Sequence, residues 1–243
     1  MDPKGKSVLV TGGAVRLGRA ISLLLAENGA KVFCQYHSSE EAAYALKEEV
    51  RQQRGVVEIY QSDITQNNEP AHLIKKVVER FGTIDVLVNN SAIFYPTSIG
   101  EVTESDWDNF HELNLKAAFF LSQEAGMVMK KKGSGRIISI GDTSWISPWP
   151  DFLPYTLTKA GINTMTKGLA KALAPQVLVN CINPGPVMLP ENYNEEQRKK
   201  AIQKTVLKRA GSAEDIAKTV LFLIESDYIT GASIPVDGGR HLG

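Results

Sequence analysis

Short apolar runs rich in β-branched residues alternate along this chain with longer stretches in which apolar residues recur every three or four positions. The short runs predict strands and the longer stretches predict amphipathic helices. Strands that alternate with helices are typical of βαβ units, in which parallel strands are covered on both faces. The predicted strands are Ser7–Val10, Lys31–Gln35, Val57–Gln61, Val86–Asn89, Arg136–Ile140, Val177–Ile182 and Ser233–Val236.

Three predicted helices begin with a capping pattern. Residues 38–41 read Ser-Ser-Glu-Glu, residues 103–106 read Thr-Glu-Ser-Asp, and residues 212–215 read Ser-Ala-Glu-Asp. A hydroxyl followed three positions later by an acidic residue can satisfy two free N–H groups at a helix start. The one long connection without an obvious strand lies between Asn183 and Ala210. We therefore expect a single domain over residues 1–243, with a substrate loop at about 184–210.

Composition excludes several classes of function. The 27 basic and 27 acidic residues balance, and the only basic cluster, 130–132, lies at a predicted helix end. Nothing therefore indicates binding to nucleic acid or to a membrane surface. No apolar stretch or leader suggests membrane insertion or export, so a cytoplasmic protein is expected. Cys34 and Cys181 lack further ligands at metal-binding spacing, so they are predicted to be buried thiols, and no metal site is expected.

Tyr155 and Lys159 lie four positions apart in a predicted helix, which places them on the same face. An ordinary tyrosine titrates near ~10 and exchanges protons poorly at neutral pH. An ammonium at ~4 Å could stabilise the phenolate by up to ~4 kcal/mol. We therefore predict an acid–base catalyst, Tyr155, whose pKa is lowered by Lys159. The alternative is an ordinary pair on an amphipathic helix.

The first predicted strand ends in a glycine turn that leads directly into a helix. Residues 11–18 read Thr-Gly-Gly-Ala-Val-Arg-Leu-Gly. Free N–H groups and the dipole at a helix start favour a pyrophosphate, so this turn predicts a dinucleotide site. The candidate residues are Thr11, Gly12, Arg16, Leu17 and Gly18, with the Arg16 guanidinium at the phosphates.

The end of the second strand indicates which dinucleotide binds. Tyr36, His37, Ser38 and Ser39 stand where NAD-binding folds carry an acidic residue on the ribose hydroxyls. A carboxylate would repel a 2′-phosphate, whereas an imidazole, two hydroxyls and a helix start would accept it. NADPH is therefore the predicted cofactor. The alternative is that Ser38 only caps a helix and His37 only lies at the surface.

Several motifs follow one another in a fixed order: the glycine turn at 11–18, Asn-Asn-Ser-Ala at 89–92, Asn114, Tyr155 with Lys159, Asn-Pro-Gly at 183–185, and Thr-Gly at 230–231 followed by Val-Asp-Gly-Gly at 236–239. As a set they resemble the short-chain dehydrogenase/reductase family over nearly the whole chain. The resemblance implies an α/β fold, a single Rossmann-type doubly wound domain. Its seven-stranded parallel sheet would have the order 3-2-1-4-5-6-7 with helices on both faces, and the protein would be a homotetramer.

The same resemblance assigns roles to individual residues. It implies that Asp63 contacts the adenine, that Asn114 holds a proton-relay water near the lysine, and that Lys159 also holds the nicotinamide ribose. The other cofactor contacts that it implies are Asn90, Ser91, Ala92, Tyr155, Pro184, Gly185 and Val187.

Three departures from the commonest family pattern point to a narrower group. Arg16 replaces the middle glycine, Asp142 replaces the serine thirteen residues before the tyrosine, and Phe94 begins a Phe-Tyr-Pro-Thr run. All three features resemble pteridine reductases. That resemblance implies that Arg16 contacts both cofactor and substrate, that Phe94 stacks on a pterin, and that Asp142 acts catalytically with Tyr155 and Lys159.

An aspartic acid at position 142 also suits this chemistry on physical grounds. Reducing a C=N bond requires a proton at nitrogen alongside hydride at the adjacent carbon, and a carboxylic acid can supply that proton. Desolvation and a neighbouring phenol that can ionise should raise the pKa of Asp142. The alternative is that Asp142 only caps a turn before Thr143. Trp149 lies in the loop that faces the substrate in the family.

The preferred interpretation is an NADPH-dependent pteridine reductase that converts a dihydropterin to its tetrahydro form. Candidate substrates are of the dihydromonapterin or dihydrobiopterin type, with dihydrofolate as a further possibility. The expected substrate contacts are Arg16, Phe94, Asp142, Trp149 and Tyr155. The main alternative is a 3-oxoacyl carrier-protein reductase or another carbonyl reductase, and the third is a non-catalytic nucleotide-binding regulator.

Overall fold

The computed structural model describes residues 1–189 and 193–242. Within these residues, seven strands form one sheet, and each predicted strand is present with ends that differ by no more than two residues. The strands β1 to β7 are Ser7–Thr11, Lys31–Tyr36, Val56–Gln61, Val86–Asn89, Gly135–Ile140, Val177–Pro184 and Ser233–Val236.

All the strands run parallel, in the order β3-β2-β1-β4-β5-β6-β7, which confirms the predicted topology. The direction of winding reverses between β1 and β4, where Val10 of β1 pairs with Cys34 on one side and Val88 on the other. In open parallel sheets such a switch point opens a crevice at the carboxyl ends of the strands. The cleft described below lies there.

Helices cover both faces of the sheet because successive strand residues point to opposite sides. The helices α1 to α8 are Arg16–Glu27, Glu40–Gln52, Glu69–Phe81, Glu104–His111, Ala118–Lys132, Leu153–Leu173, Glu195–Gln203 and Ala213–Glu225. Val8 and Val10 pack with α1, α2 and α8, whereas Leu9 packs with α3, α5 and α6. A π-helical turn, Glu112–Ala117, joins α4 to α5.

Two of the three capping predictions are confirmed. The hydroxyls of Thr103 and Ser212 accept hydrogen bonds from the backbone N–H groups of Asp106 and Asp215, so both capping boxes are formed. The prediction at residues 38–41 is wrong. Helix α2 begins at Glu40, and its N-cap, Ser39, makes no side-chain cap hydrogen bond. The serine hydroxyls at this helix start therefore remain available to a ligand.

The connection between Asn183 and Ala210 is more ordered than the sequence suggested. It contains helix α7, which starts at a capping box formed by Asn194 and Gln197. Residues 190–192, which belong to the expected substrate loop at about 184–210, lie outside the described residues. Cys34 and Cys181 are buried thiols, as expected, and burial raises the pKa of each to about 12. No helix among the described residues is long and apolar enough to cross a membrane.

Candidate active site

A cleft of about 1050 Å³ opens at the carboxyl ends of the central strands. It brings together residues that are far apart in the sequence. Every expected cofactor contact except Thr11 and Gly18 lines it, and so do the expected substrate contacts Phe94, Asp142 and Trp149. Asn114 does not line it either. The structure therefore places most of the candidate residues around one space, and the roles of the individual residues stay predictions.

The glycine turn is shaped by backbone geometry. Gly12 and Arg16 have φ values of +57° and +50°, in the left-handed region that favours glycine. A glycine at position 16, which the family resemblance leads one to expect, would adopt this conformation without a steric penalty. A Cβ on Gly18 would come within 2.0 Å of the Gly12 carbonyl oxygen, so only glycine lets α1 pack on the turn. The Arg16 guanidinium donates to the Met188 carbonyl at 2.7 Å, so it links the turn to the segment after β6.

Thr11 does not line the cleft, but it stabilises the glycine turn through hydrogen bonds. Its buried hydroxyl accepts hydrogen bonds from the N–H groups of Asn90 and Ser91 at 3.0 and 3.1 Å. The Asn90 side chain in turn donates to the carbonyls of Thr11 and Gly12. Gln35, which sequence reasoning missed, accepts a hydrogen bond from the Gly12 N–H at 3.0 Å. These contacts fix the conformation of the glycine turn without filling the space that it encloses.

The end of β2 presents an exposed polar surface to the cleft. His37 and Ser38 are exposed, and no acidic side chain stands among residues 35–39. The first turn of α2, however, carries Glu40 and Glu41, which offset part of the attraction of the helix start for a phosphate. The free hydroxyls and the missing carboxylate at the strand end favour a 2′-phosphate, and the two glutamates oppose it.

The Asp142 carboxyl makes two contacts, one for each role considered for it: a turn cap and a partner of Tyr155. One oxygen, Oδ1, accepts a hydrogen bond from the Ser144 N–H at 2.6 Å and so caps the short 3₁₀ turn Thr143–Trp145. The other oxygen, Oδ2, accepts a hydrogen bond from the Tyr155 hydroxyl at 3.0 Å. Asp142 is therefore a turn cap and also a direct partner of the phenol.

The lysine lies beside the ring of Tyr155, and its partner is a backbone carbonyl. Its Nζ donates to the carbonyl of Ile140 at 2.9 Å and lies 5.5 Å from the centroid of the Tyr155 ring. Both Tyr155 and Lys159 are buried on α6. The pairing that the four-residue spacing predicted is present, but the ammonium contacts the face of the ring.

The expected lowering of the Tyr155 pKa is wrong for this arrangement. Burial raises the pKa of Tyr155 well above its ordinary value, and the adjacent Asp142 raises it further. Burial lowers the pKa of Lys159. Burial also raises the pKa of Asp142, against the opposing effects of the Ser144 hydrogen bonds and of Lys159, as the sequence predicted. Both shifts favour the protonated forms of the carboxyl and the phenol, so a proton-donating Asp142 persists to higher pH than an exposed carboxyl would.

Two asparagines fix the backbone at Asp142. The side-chain oxygen of Asn183, Oδ1, accepts hydrogen bonds from the Asp142 N–H and from the Asn163 side chain, each at 3.1 Å. The Asn183 side chain also donates to Asn163 Oδ1 at 3.1 Å. Sequence reasoning missed Asn163, although it follows Tyr155 and Lys159 on the same face of α6 at the same four-residue interval. That spacing was the signal that could have found it.

Asn114 lies in the π-helical turn and is 2% exposed. Its side-chain oxygen accepts from the Ile93 N–H at 2.9 Å, and its nitrogen donates to the Ile93 carbonyl at 3.1 Å. The irregular turn explains how an asparagine is accommodated within an apolar helix. Because these bonds hold the residue next to Phe94, Asn114 positions the wall of the cleft, and the relay water stays a prediction.

Four aromatic rings form one end of the cleft. Phe94 stacks on Phe152 with centroids 4.7 Å apart and an angle of 7°. Trp149 and Tyr155 meet Phe94 edge to face at 6.3 and 4.9 Å. Phe94 is still 40% exposed. Phe152, which no sequence motif marked, therefore supports one face of the Phe94 ring, and the Tyr155 ring meets that ring at its edge.

Residues 13–241 match the family model described as enoyl-(acyl carrier protein) reductase. The chain is also 35% identical over 242 residues to the 3-oxoacyl-[acyl-carrier-protein] reductase FabG of Staphylococcus aureus, covering 98% of both chains. It belongs to the short-chain dehydrogenase/reductase family. Membership of this family, together with the Rossmann-like fold, identifies the protein as an oxidoreductase.

Other short-chain reductases are similar to this chain over nearly their whole length. FabG of Thermotoga maritima is 36% identical over 244 residues, covering 98% of this chain and 99% of the relative. A mutant short-chain dehydrogenase/reductase of Serratia marcescens superposes with a TM-score of 0.93 at 32% identity, covering 99% of this chain and all of that structure. A dehydrogenase/reductase of Sinorhizobium meliloti gives 0.91 at 31% identity, covering 98% and 95%. The two FabG relatives are named 3-oxoacyl-[acyl-carrier-protein] reductases, so they favour the carbonyl-reductase alternative over the narrower resemblance.

Proposed function

We propose that this protein is an NADPH-dependent pteridine reductase that reduces a C=N bond of a dihydropterin to give the tetrahydro form. The observation that carries the proposal is the 3.0 Å hydrogen bond between the Tyr155 hydroxyl and Asp142, within the cleft. A serine in this place could donate a hydrogen bond to a ketone oxygen. A protonated carboxyl can transfer a proton to a ring nitrogen of a reduced pterin.

The cleft fits a dinucleotide at the end away from the aromatic rings. Gly12 and Gly18 leave a cradle in which a Cβ at either position would meet neighbouring atoms at 3.0 Å or closer. The buried Ser62 hydroxyl, next to Asp63, lines the same cleft and has no hydrogen-bond partner among the described residues. These features support Asp63 at the adenine and the glycine turn at the pyrophosphate. Bound NADPH would supply the hydride.

The protein residues supply the proton and the orientation. The Asp142 carboxyl, held by the N–H of Ser144, is fixed at one oxygen and faces Tyr155 with the other. Tyr155 can restore a proton to Asp142 because the two side chains already share a hydrogen bond. The Phe94 ring offers an exposed apolar surface on which a flat heterocycle can stack. Arg16 reaches across the cleft and supports both cofactor and substrate contacts.

A second candidate is reduction of a 3-oxoacyl thioester, and the names of the relatives favour it. The two candidates are separated by following NADPH oxidation with 7,8-dihydrobiopterin and with acetoacetyl-coenzyme A at equal concentrations. The proposal expects kcat/KM to be larger for the dihydropterin by about tenfold or more, since a site built for one acceptor discriminates against the other. A larger value for the thioester would replace the proposal with the second candidate.

NADPH is expected to bind more tightly than NADH, because Ser38 and Ser39 leave room and free hydroxyls for a 2′-phosphate. Replacing Ser38 with Asp should weaken NADPH by roughly tenfold or more and remove the preference, since a carboxylate would face the phosphate. Ser38→Asn is the control of similar size without charge. Titration of nucleotide fluorescence gives both dissociation constants. Equal affinities in the wild-type protein would contradict the assignment of NADPH.

A homotetramer is proposed as the state of assembly. Helices α5 and α6 leave large apolar side chains at the surface, including Phe119, Phe120, Met127 and Leu157, each at least 40% exposed. Sedimentation at micromolar concentration should therefore show a tetramer, and Phe120→Asp should dissociate it at least to dimers. A monomeric wild-type protein would contradict this proposal.

A further inference from the structure

Two basic side chains from different elements line the cleft, and one of them, Arg240, lies at its aromatic end over Trp149. Lys204 is the C-cap residue that follows helix α7, and Arg240 lies in the short 3₁₀ turn Arg240–Leu242. Among the described residues, neither of them forms an ion pair with an acidic side chain. Two unpaired cations in a concave site are typical of a site that receives an anion.

The Arg240 guanidinium is held in place but is mostly unused. It lies over the Trp149 ring, with Cζ 5.4 Å from the ring centroid, and donates one hydrogen bond to the Ala201 carbonyl at 3.2 Å. A guanidinium has five N–H groups. The others have no partner among residues 1–189 and 193–242. Stacking on Trp149 therefore fixes its orientation while leaving donors free for a ligand.

The turn that carries Arg240 is fixed by a neighbouring carboxylate that is already occupied. Asp237 accepts hydrogen bonds from the backbone N–H groups of Gly239 and His241, at 2.9 and 2.8 Å. Its second oxygen also contacts His241 Nδ1 at 2.8 Å. Asp237 is thus committed to holding the turn, and it forms no ion pair with Arg240 that would neutralise the guanidinium.

Other carboxyl groups of the cleft do not balance this charge. Glu112 pairs with Lys116 at 2.8 Å, and Asp63 is engaged by Thr65 and Gln66 at the adenine end. Asp142 is engaged by Ser144 and Tyr155, whose roles are described above. None of these three carboxyl groups, which line the cleft among the described residues, forms an ion pair with Lys204 or Arg240.

We propose that Lys204 and Arg240 form an anion subsite that binds a carboxylate or phosphate on the substrate, at the end remote from the bond that is reduced. Trp149 lies between Phe94 and Arg240 and contacts both. An anionic group bound at Arg240 would therefore be part of a substrate substituent that extends past Trp149. It would not be part of the heterocycle stacked on Phe94. This subsite rests on the proposed function, because it assumes that the reacting bond lies beside Tyr155.

The test compares substrates that share a reacting group and differ in the charge of the tail. One pair is 7,8-dihydrofolate, with a dicarboxylate tail, and 7,8-dihydrobiopterin, with a neutral tail. The other pair is acetoacetyl-coenzyme A, which carries phosphates, and the neutral acetoacetyl-N-acetylcysteamine. The readout is the ratio of kcat/KM for the anionic member to that for the neutral member of each pair. The two pairs also show whether a carboxylate or a phosphate is recognised.

Arg240→Gln is expected to lower this ratio by about 10- to 100-fold, since a charge-assisted hydrogen bond to the tail is lost. Lys204→Gln should lower it about threefold to tenfold because a lysine acts as a point charge without the bidentate geometry of arginine. Arg240→Lys should recover part of the loss. Lys200→Gln is the matched control: it removes a charge from the same helix one turn earlier, at an exposed residue paired with Glu196, and should leave the ratio unchanged.

Equal losses on the anionic and neutral substrates in Arg240→Gln would overturn the subsite, because Arg240 would then only support Trp149. An unchanged ratio would overturn it as well. Failure of the proposed function looks different. If the wild-type protein reduces neither pterin but reduces the thioesters, the pterin assignment fails, and the ratio within the thioester pair still decides the subsite.

Discussion

Replacing Asp142 with Asn is expected to lower turnover of a dihydropterin by about 10²- to 10⁴-fold, the range usual for loss of a general acid. The affinity for NADPH should change by less than about twofold, because no cofactor role is assigned to the carboxyl. Asparagine keeps the size of aspartate, and its side-chain oxygen can still accept the N–H of Ser144. The turn that Asp142 caps should therefore survive, so the loss reports on the proton. Stopped-flow and steady-state rates, measured over a range of NADPH concentrations, give both the turnover and the affinity for NADPH.

A matched substitution separates the two candidate substrates. Asp142→Ser introduces the hydroxyl that the family resemblance leads one to expect in this place. It should lower pterin reduction about as much as asparagine does, while raising activity on acetoacetyl-coenzyme A. If Asp142→Asn reduced dihydropterin at the wild-type rate at every pH, the carboxyl would be a turn cap only. The pterin assignment would then depend on Arg16 and Phe94.

The pH profile follows from the direction of the shifts. Burial raises the pKa of Asp142, and burial together with Asp142 raises that of Tyr155, so both groups keep their protons to higher pH than exposed residues would. The proton-donating form lies on the acidic side. Turnover should therefore fall as pH rises through the ionisation of the pair, and the fall should begin at higher pH than for an ordinary carboxyl. The apparent pKa belongs to the coupled pair, and Asp142→Asn should lose this part of the profile.

The fold could be predicted well because the signal for it is local. Leu9 and Val10 are adjacent, point to opposite faces of the sheet, and are both fully buried. Continuous apolar runs of this kind identify doubly covered strands, and the order of motifs then gave the topology. The failed capping prediction at residues 38–41 has a local cause as well. Ser39 has φ −93° and ψ 56°, whereas Thr103 and Ser212, the N-caps of the two confirmed predictions, have ψ values of 160° and 161°.

The site was predictable in its members and less so in its electrostatics. The resemblance named Asp142, Tyr155 and Lys159, and the structure places them together. Whether the pKa of Tyr155 is raised or lowered depends on how deeply the phenol is buried and on where the ammonium points. A four-residue spacing in the sequence gives no information on either. Phe152 and Arg240 reach the cleft from a loop and from the last turn of the chain. Their contribution arises from tertiary packing, so no motif could reveal it.

Replacing Lys159 with Met is expected to have the largest effect. Turnover should fall by about 10³-fold or more, and NADPH should bind at least about tenfold more weakly, because the lysine is proposed to act both on the phenol and on the nicotinamide ribose. Tyr155→Phe provides the contrast. Phenylalanine keeps the buried ring that contacts Phe94 and Lys159, so turnover should fall by about 10²- to 10⁴-fold while cofactor affinity is largely kept.

Stability measurements decide whether the loss in Lys159→Met is chemical. Burial lowers the pKa of Lys159, so the folded protein gives up free energy to hold the ammonium, and an apolar side chain of similar length relieves that cost. The Ile140 carbonyl loses its donor, which costs about 1–3 kcal/mol in the opposite direction. These effects oppose each other, so Tm should change little. Lys167→Met, at an exposed position on the same helix, is the control and should keep full activity. If Lys159→Met bound NADPH as tightly as the wild-type protein, the lysine would have no role at the ribose, and its effect would be confined to Tyr155.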